Sequence, residues 1–318
     1  MFKEIINQIS AKPPSILVIG DLMLDKFIFG CVDRVSPEAP VPIVKLQSEK
    51  HMLGGCGNVI RNLDNLGVET SIVSVIGQDL TGDLLLEELS KKEIPISDIL
   101  RLRNIRTTEK MRIVAGSQQV VRVDWDMENF EIENNEKLFK IISNKINGID
   151  GIIVSDYLKG VCSGILIKKV INLAKENNVP VYVDPKGTEW EKYSFASLVT
   201  PNTKEAESIL GKKLVLDKDF ELAGKTICDS FNIRACLITR GSDGMSYISN
   251  NEIFHLKSEA KEIFDVSGAG DTVIAAITAA LIIDSDPQMA AEFSNRAAGI
   301  VVGHIGTTAV TTQELLDI

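Results

Sequence analysis

The chain has 318 residues, 44% of them hydrophobic and 25% charged, with a formal net charge of −10 at neutral pH. This is material for one large α/β domain with a substantial core, and the acidic balance argues against a general nucleic-acid binder, whose domains are usually basic. No apolar run approaches the ~20 residues of a membrane span, and the five scattered cysteines, without a C-x-x-C pair, fit reduced thiols in a cytoplasmic protein.

The opening stretch, MFKEIINQISAKPPS, carries charges among its apolar residues, which argues against a signal peptide and predicts a short amphipathic helix stopped at Pro13-Pro14. Short β-branched runs follow at 15–21, 71–77, 151–156, 179–185, 196–202 and 235–241, each ending at Gly, Asp, Pro or Asn. Nearly continuous apolar strands of this kind are buried on both faces, as in a parallel sheet. Helical patterns lie between them at 81–93, 134–146, 163–178 and 203–211. The alternation predicts right-handed βαβ units in an α/β, doubly wound, mainly parallel sheet flanked by helices. Ligands of such sheets gather at the carboxyl ends of the strands, which is where Asp21, Asp156, Asp184, Asn202 and Gly241 fall.

Two segments break the rhythm. Residues 25–47 and 105–126 alternate β-formers with polar residues and read as antiparallel strands with one solvated face. Emerging from strand ends, they form either surface hairpins or a small β-sheet lid inserted into a single domain spanning 1–318. No internal repeat or linker divides the chain.

The longest apolar stretch, DVSGAGDTVIAAITAALII (265–283), begins with two carboxylates around a Gly-Ala-Gly turn. Small residues let backbone approach a ligand, and the N–H groups of a helix start attract anions, a setting suited to a phosphoryl group in transfer. Asp271 is then either a base for an attacking hydroxyl or simply a helix cap, since Asp is a preferred N-cap residue. Upstream, LGGCGNVIRNLDNLG (53–67) is a second glycine-rich segment. It fails as a dinucleotide fingerprint because Ile60 occupies the third glycine's place, so a nicotinamide oxidoreductase is disfavoured.

These two motifs, in this order in a βα-rich chain, resemble the signatures of the ribokinase-like (PfkB) carbohydrate kinases. The stretches ILVIGDLMLDKFIFG, RVSPEAPVPIVK, TTEKMRIVAGSQQVVRVD, SDYLKGV, VDPKGTEWEKY, LVTPNTKEAE, ITRGSDGM and AAGIVVGHIGTTAVT together resemble the D-glycero-β-D-manno-heptose-7-phosphate kinases over essentially the whole chain. The resemblance implies a ribokinase-like fold with a β-sheet lid and transfer of the ATP γ-phosphate, with Mg²⁺, to the anomeric 1-hydroxyl of heptose 7-phosphate, on the route to nucleotide-activated heptose for lipopolysaccharide or other surface glycans. A monovalent cation, with Asp265 shaping its site, and a homodimer formed through the lid are further implications. Bifunctional members carry a nucleotidyltransferase domain after the kinase; this sequence stops at Ile318, so a monofunctional kinase is expected.

Residue by residue, the resemblance makes Asp271 the catalytic base, cradled by Gly268, Ala269 and Gly270. Asp21 and Asp25 would receive sugar hydroxyls, with Gly54, Gly55 and Asn58 bringing backbone and one amide to the sugar. Cys56 reads as packing. Arg34, Lys110, Arg112 and Arg122 are candidate cations for the 7-phosphate, since Arg can hold a phosphate through two parallel hydrogen bonds; Lys110 and Arg112, two apart, face one side of a strand. Gln118, Gln119 and Asp124 add donors and acceptors. On the nucleotide side, Asn202 and Glu205 match an N-x-x-E element that organises Mg²⁺ largely through water. Lys186 would meet phosphate charge with Asp184 orienting it. Thr239, Gly241 and Gly244 would follow the ATP phosphates, while Asn295 and Gly299 would line the adenine pocket. Leu158 stands where a glycine is usual. The alternatives are a ribokinase-like kinase of another sugar or sugar phosphate and, less favoured, a noncatalytic sugar- or nucleotide-binding regulator.

Overall fold

The computed structural model describes residues 2–116, 118–127, 133–260, 262–304 and 306–317. Ser117 of the expected lid, Ile305 of the last matching stretch, and the terminal Met1 and Ile318 lie outside the described residues. Helix α1 (Phe2–Ala11) buries Ile5, Ile6 and Ile9 and gives way, past the two prolines, to β1 (Ser15–Gly20). The chain then leaves the body as a long hairpin, β2 (Leu22–Val35) and β3 (Pro42–Gly55), and returns through α2 (Cys56–Asn65), β4 (Glu69–Gly77), α3 (Leu80–Ser90) and β5 (Ile99–Leu102). A second hairpin, β6 (Glu109–Ala115) and β7 (Gln118–Trp125), precedes α4 (Glu133–Lys145), β8 (Gly151–Ser155), α5 (Gly164–Glu176), β9 (Val181–Asp184) and β10 (Leu198–Val199). The remainder runs α6 (Thr203–Leu210), α7 (Asp217–Phe231), β11 (Ala235–Thr239), β12 (Met245–Ser249), β13 (Ile253–Leu256), α8 (Ala269–Ile282), α9 (Pro287–Val301) and α10 (Thr312–Leu316).

The strands make two sheets, one of nine strands in the order β13-β12-β11-β10-β9-β8-β1-β4-β5 and one of four in the order β3-β2-β6-β7. The larger sheet is parallel from β5 to β11. Its central strands are buried on both faces, as their unbroken apolar runs require: Ile16 and Val18 of β1 join one core layer with α2, α8 and α9, while Leu17 and Ile19 join the other with α4, α5 and α7. The expected doubly wound α/β architecture is therefore present. One addition was not expected: β12 and β13 extend the edge as an antiparallel hairpin.

The smaller sheet differs in one respect from the antiparallel expectation. Each hairpin is antiparallel, but β2 and β6 pair in parallel, Leu24 with Glu109 through Gly30 with Ala115. The reason lies in the body: β2 and β6 each leave the carboxyl end of a parallel strand, β1 and β5, so they start in the same direction. The sheet also reaches further down than residues 25–47, to Leu22 and Gly55, and its root is anchored by Leu22, Leu24 and Leu53 in the main core.

Candidate active site

Helix α8 is buried on all sides from Asp271 to Ala280, so its start is fixed by packing rather than by a cap. Gly268, at φ 84°, occupies the N-cap position and no side chain caps the helix. A Cβ there would lie 2.6 Å from the Asn58 amide nitrogen, so glycine is needed both for the left-handed backbone and for the approach of α2. Asp271 is the third residue of the helix and 2% exposed. It is not a cap: Oδ2 accepts a hydrogen bond from Asn58 Nδ2 at 2.9 Å and Oδ1 one from the Tyr157 hydroxyl at 2.7 Å. Burial pushes its carboxyl up to about 6, although both hydrogen bonds favour the charged form. A carboxylate with that affinity for protons is deprotonated at neutral pH yet a stronger base than an exposed one.

Asp21 departs from its expected role. Its side chain is fully buried, and Oδ2 accepts from the backbone N–H groups of Tyr157 and Lys159 while Oδ1 accepts from Val161. The group is a loop anchor, shaping residues 157–161, rather than a receiver of sugar hydroxyls. Burial, with Asp156 close by, raises it to about 6. Asp156 fixes the same loop from below, accepting the Leu158 N–H while its other oxygen takes the Lys192 ammonium and the Tyr193 hydroxyl. Leu158 sits at φ 56°, a left-handed conformation that glycine adopts at less cost.

On the lid, the register puts Asp25 and Phe27 of β2, Lys110 and Arg112 of β6, and Arg122 and Asp124 of β7 on one face. Asp25 is buried; Oδ1 accepts from Arg112 Nη1 at 2.6 Å, and the Thr307 hydroxyl approaches Oδ2 at 3.4 Å. Arg112 stacks its guanidinium 5.0 Å from the Phe27 ring centre. The Lys110 ammonium lies 5.1 Å from the centre of the Tyr157 ring and pairs with no carboxylate among the described residues; burial depresses its pKa. Arg122 pairs with Asp124 at 2.9 Å in a more exposed position. Gly54 lies beside this group, since a Cβ there would fall 2.5 Å from Asp25 Oδ2, and Gly55, at φ 57°, starts α2. Cys56 is buried, its thiol pushed up by burial, in keeping with packing. Three expected residues stay outside: Arg34 is exposed near the outer end of β2, nine residues or about 30 Å of strand from Asp25, and Gln118 and Gln119 are exposed at the hairpin end of β7.

Beyond Asp271 lie two adjoining pockets. The first is polar, lined by Asp184, Lys186, Asn202, Glu205, Thr239 and Gly270 among others. Asn202 and Glu205 form a capping box on α6: Asn202 Oδ1 accepts the Glu205 N–H at 3.0 Å and Glu205 Oε2 accepts the Asn202 N–H at 2.9 Å. The other Glu205 oxygen takes the Lys186 ammonium at 2.6 Å. Lys186 is thus oriented by Glu205, whereas the Asp184 carboxylate has no hydrogen-bond partner among the described residues. Burial, Asp271 and Glu205 together raise Asp184 well above the ordinary carboxylate range. The second pocket is mainly apolar, with the small Gly241, Gly244, Ala269, Ala298 and Gly299 alongside Met245, Ile263, Val266, Val273 and Val302, and Asn295 in its wall. The Asn295 amide donates to the Lys257 carbonyl at 2.7 Å, fixing one wall. Asp265 accepts N–H groups from Ser267 and Gly306, joining the turn before α8 to the loop after α9.

The arrangement is a buried carboxylate between a charged lid face and a cleft shaped for a flat apolar group with an anionic tail. Residues 14–314 match the model of the pfkB family carbohydrate kinases. This chain belongs to the pfkB family of carbohydrate kinases.

Among its relatives, the kinase is 40% identical over 302 residues to the bifunctional protein HldE of Trichlorobacter lovleyi, an alignment covering 94% of this chain and 62% of that protein. It is 41% identical over 310 residues to the bifunctional protein HldE of Aliarcobacter butzleri, covering 96% and 64%. The chain thus spans less than two thirds of the length of these relatives. In fold, it resembles phosphofructokinase-2 of Escherichia coli in complex with potassium, with a TM-score of 0.82 at 17% identity over 96% of this chain and 98% of that one. Ribokinase of Arabidopsis thaliana complexed with ribose and ATP superimposes with a TM-score of 0.75 at 17% identity, over the same shares of each chain.

Sequence reasoning left three groups of the kinase's site unassigned. Tyr157 directly follows Asp156 at the carboxyl end of β8, a position that itself was a signal. Thr307 lies in a loop that only the fold brings to Asp25. Lys192 and Tyr193 act from beneath through Asp156, and nothing local to them distinguishes them from surface residues.

Proposed function

We propose that this kinase transfers the γ-phosphate of ATP to the anomeric 1-hydroxyl of D-glycero-β-D-manno-heptose 7-phosphate, giving the 1,7-bisphosphate. The substrate reading is carried by the motif resemblance along the whole chain and supported by about 40% identity to two HldE proteins. The lid agrees with a phosphorylated acceptor, since Lys110, Arg112 and Arg122 share one face beside the base.

In this mechanism Asp271 takes the proton from the 1-hydroxyl as the oxygen attacks phosphorus in line. The N–H groups at the start of α8 face the charge that grows on the transferring group. Asp25, held by Arg112, accepts a sugar hydroxyl, and Lys110 and Arg122 meet anionic oxygens. The apolar cleft takes the adenine, and the 241–244 turn follows the phosphates. The oxygen-rich polar pocket fits Mg²⁺: Asp184 offers an unpartnered carboxylate and Glu205 a second one, reached directly or through water near Asn202. Mg²⁺ bound there with ATP supplies neutralisation of phosphate charge. The reading includes activation by a monovalent cation near Asp265, a cytoplasmic location, and a homodimer in which the exposed lid residues Val32, Val35, Val41, Leu46 and Val121 meet a second copy.

The test is ATP consumption with Mg²⁺ on heptose 7-phosphate, free heptose, fructose 6-phosphate and ribose, with the product's phosphorus spectrum recorded. The expected result is strong selectivity for heptose 7-phosphate and a new anomeric phosphate resonance. Preferred turnover of another sugar overturns the acceptor, and no turnover on any of them overturns the kinase mechanism.

A further inference from the structure

An aspartate's terminal torsion is broad, so a buried carboxylate keeps one orientation only if something holds both its oxygens. Asp271 has two such holders on two different elements. The Asn58 amide reaches Oδ2 from α2, and the Tyr157 hydroxyl reaches Oδ1 from the loop after β8. Each oxygen therefore keeps one lone-pair direction free, and the carboxylate plane is set by two points rather than one.

Tyr157 is itself firmly placed. Its N–H is bound by Asp21 at 2.8 Å, the next residue is fixed by Asp156 at 2.8 Å, and Asp156 rests on Lys192 and Tyr193. The phenol is buried beside a carboxylate, both of which disfavour its ionisation, so it remains a donor. Over its ring lies the Lys110 ammonium of the lid. Two buried carboxylates, Asp21 and Asp156, thus fix the loop that carries this hydroxyl.

We propose that Tyr157 is a positioning residue for phosphoryl transfer: its hydroxyl, together with the Asn58 amide, holds the Asp271 carboxylate in the rotation that leaves a lone pair aimed at the acceptor hydroxyl. This rests on the reading of Asp271 as the base. The role of Asp21 follows from it, because that anchor acts on catalysis through the loop that carries Tyr157. Losing the hydroxyl leaves the carboxylate tethered at one oxygen, and small misplacements of a reacting group cost on the order of 10²-fold in rate.

The experiment is Tyr157→Phe, which keeps the ring under Lys110 and removes only the tether. The charged groups around Asp271 are Asp25 on β2, Lys110 on β6 and Asp184 at the end of β9, and none of them is altered. The expected result is a fall in kcat of about 10- to 100-fold with KM for both substrates within about threefold. The acid limb of the kcat–pH profile should also move upward from about 6, because a hydrogen bond to the charged form has been lost. A ¹³C titration of the Asp271 carboxyl should show the same upward shift with no turnover needed. Unchanged kcat and an unchanged acid limb overturn the proposal, as does a fall in kcat with the limb and the titration unmoved, which would be a merely structural effect. Asp271→Asn, measured in parallel, separates the two readings. If it turns over normally, the base assignment itself is lost; if it is inactive while Tyr157→Phe is normal, only the tether is.

Discussion

The two sides of Asp271 are built from different materials. On one side the cleft wall is small and apolar: Gly241, Gly244, Ala269, Ala298 and Gly299 together with Met245, Val266 and Val273. On the other side the lid presents Asp25 paired with Arg112, Arg122 paired with Asp124, and Lys110 over the Tyr157 ring. A wall of small and apolar groups offers shape and N–H groups to a ligand, whereas a set of oriented charges discriminates one acceptor from another. On the proposed reading, nucleotide binding and acceptor choice are separable in this chain, and Asp271 is the point where they meet.

The largest effect is expected at that meeting point. Asp271→Asn should lower kcat at least 10²-fold, the lower end of what general-base assistance supplies, with KM for ATP little changed. The same variant should melt a few degrees higher. Burial raises the Asp271 carboxyl above its unfolded value, so its contribution to stability is fully present below about pH 4 and is lost as pH rises through about 6. At neutral pH the charged group opposes folding, by about 1–3 kcal/mol, and an amide does not. Calorimetry of the two proteins at pH 7.5 and pH 5 checks this, the gap closing at the lower pH. Next comes Arg112→Met, which leaves Asp25 buried without its partner, an arrangement that typically costs ~3–5 kcal/mol. KM for the sugar phosphate should rise at least tenfold while KM for ATP stays within about twofold. Gly299→Val is its mirror image. A Cβ there already lies 3.0 Å from the Ala260 nitrogen, so KM for ATP should rise roughly tenfold with the acceptor unaffected. An equal effect of either variant on both substrates would collapse the distinction. The smallest effect belongs to Arg34→Ala, expected within about twofold for both KM values. A larger rise for the acceptor would mean that the outer lid reaches the site of a second copy.

The same division decided what the sequence could reveal. The glycine turns and the strand ends were legible because backbone geometry has local signatures: Gly268 to Asp271 form the start of α8 and the 241–244 turn lines the adjoining cleft, as their pattern indicated. The alternation of apolar runs likewise predicted the central sheet. The roles of buried charges were much less legible. Asp21 and Asp25 stand four residues apart in one motif, yet Asp21 faces three backbone N–H groups while Asp25 faces an arginine 87 residues away. Nothing local distinguishes these fates, because the partners come from different elements. Asn202 and Glu205 show the converse, since a capping box and a metal-organising pair share one spacing, and the fold uses at least the first. The parallel pairing within the lid was hidden for a related reason: strand direction is set by where each hairpin leaves the body.

That parallel seam also bears on how the chain folds. Leu24 pairs with Glu109 across 85 residues of sequence, and the whole β4-α3-β5 unit lies between them. A ladder of such separation carries the loop-closure cost of everything it spans, which is met only once the intervening segment is already compact. The β2–β3 hairpin can form early, but it cannot become a four-stranded sheet until β5 has docked and delivered β6. In refolding followed by pulsed hydrogen exchange, amides of β1 and β4 are expected to gain protection before those of β6, and the reverse order would contradict this. The charged face of the lid is thus assembled last, onto a body that has already formed.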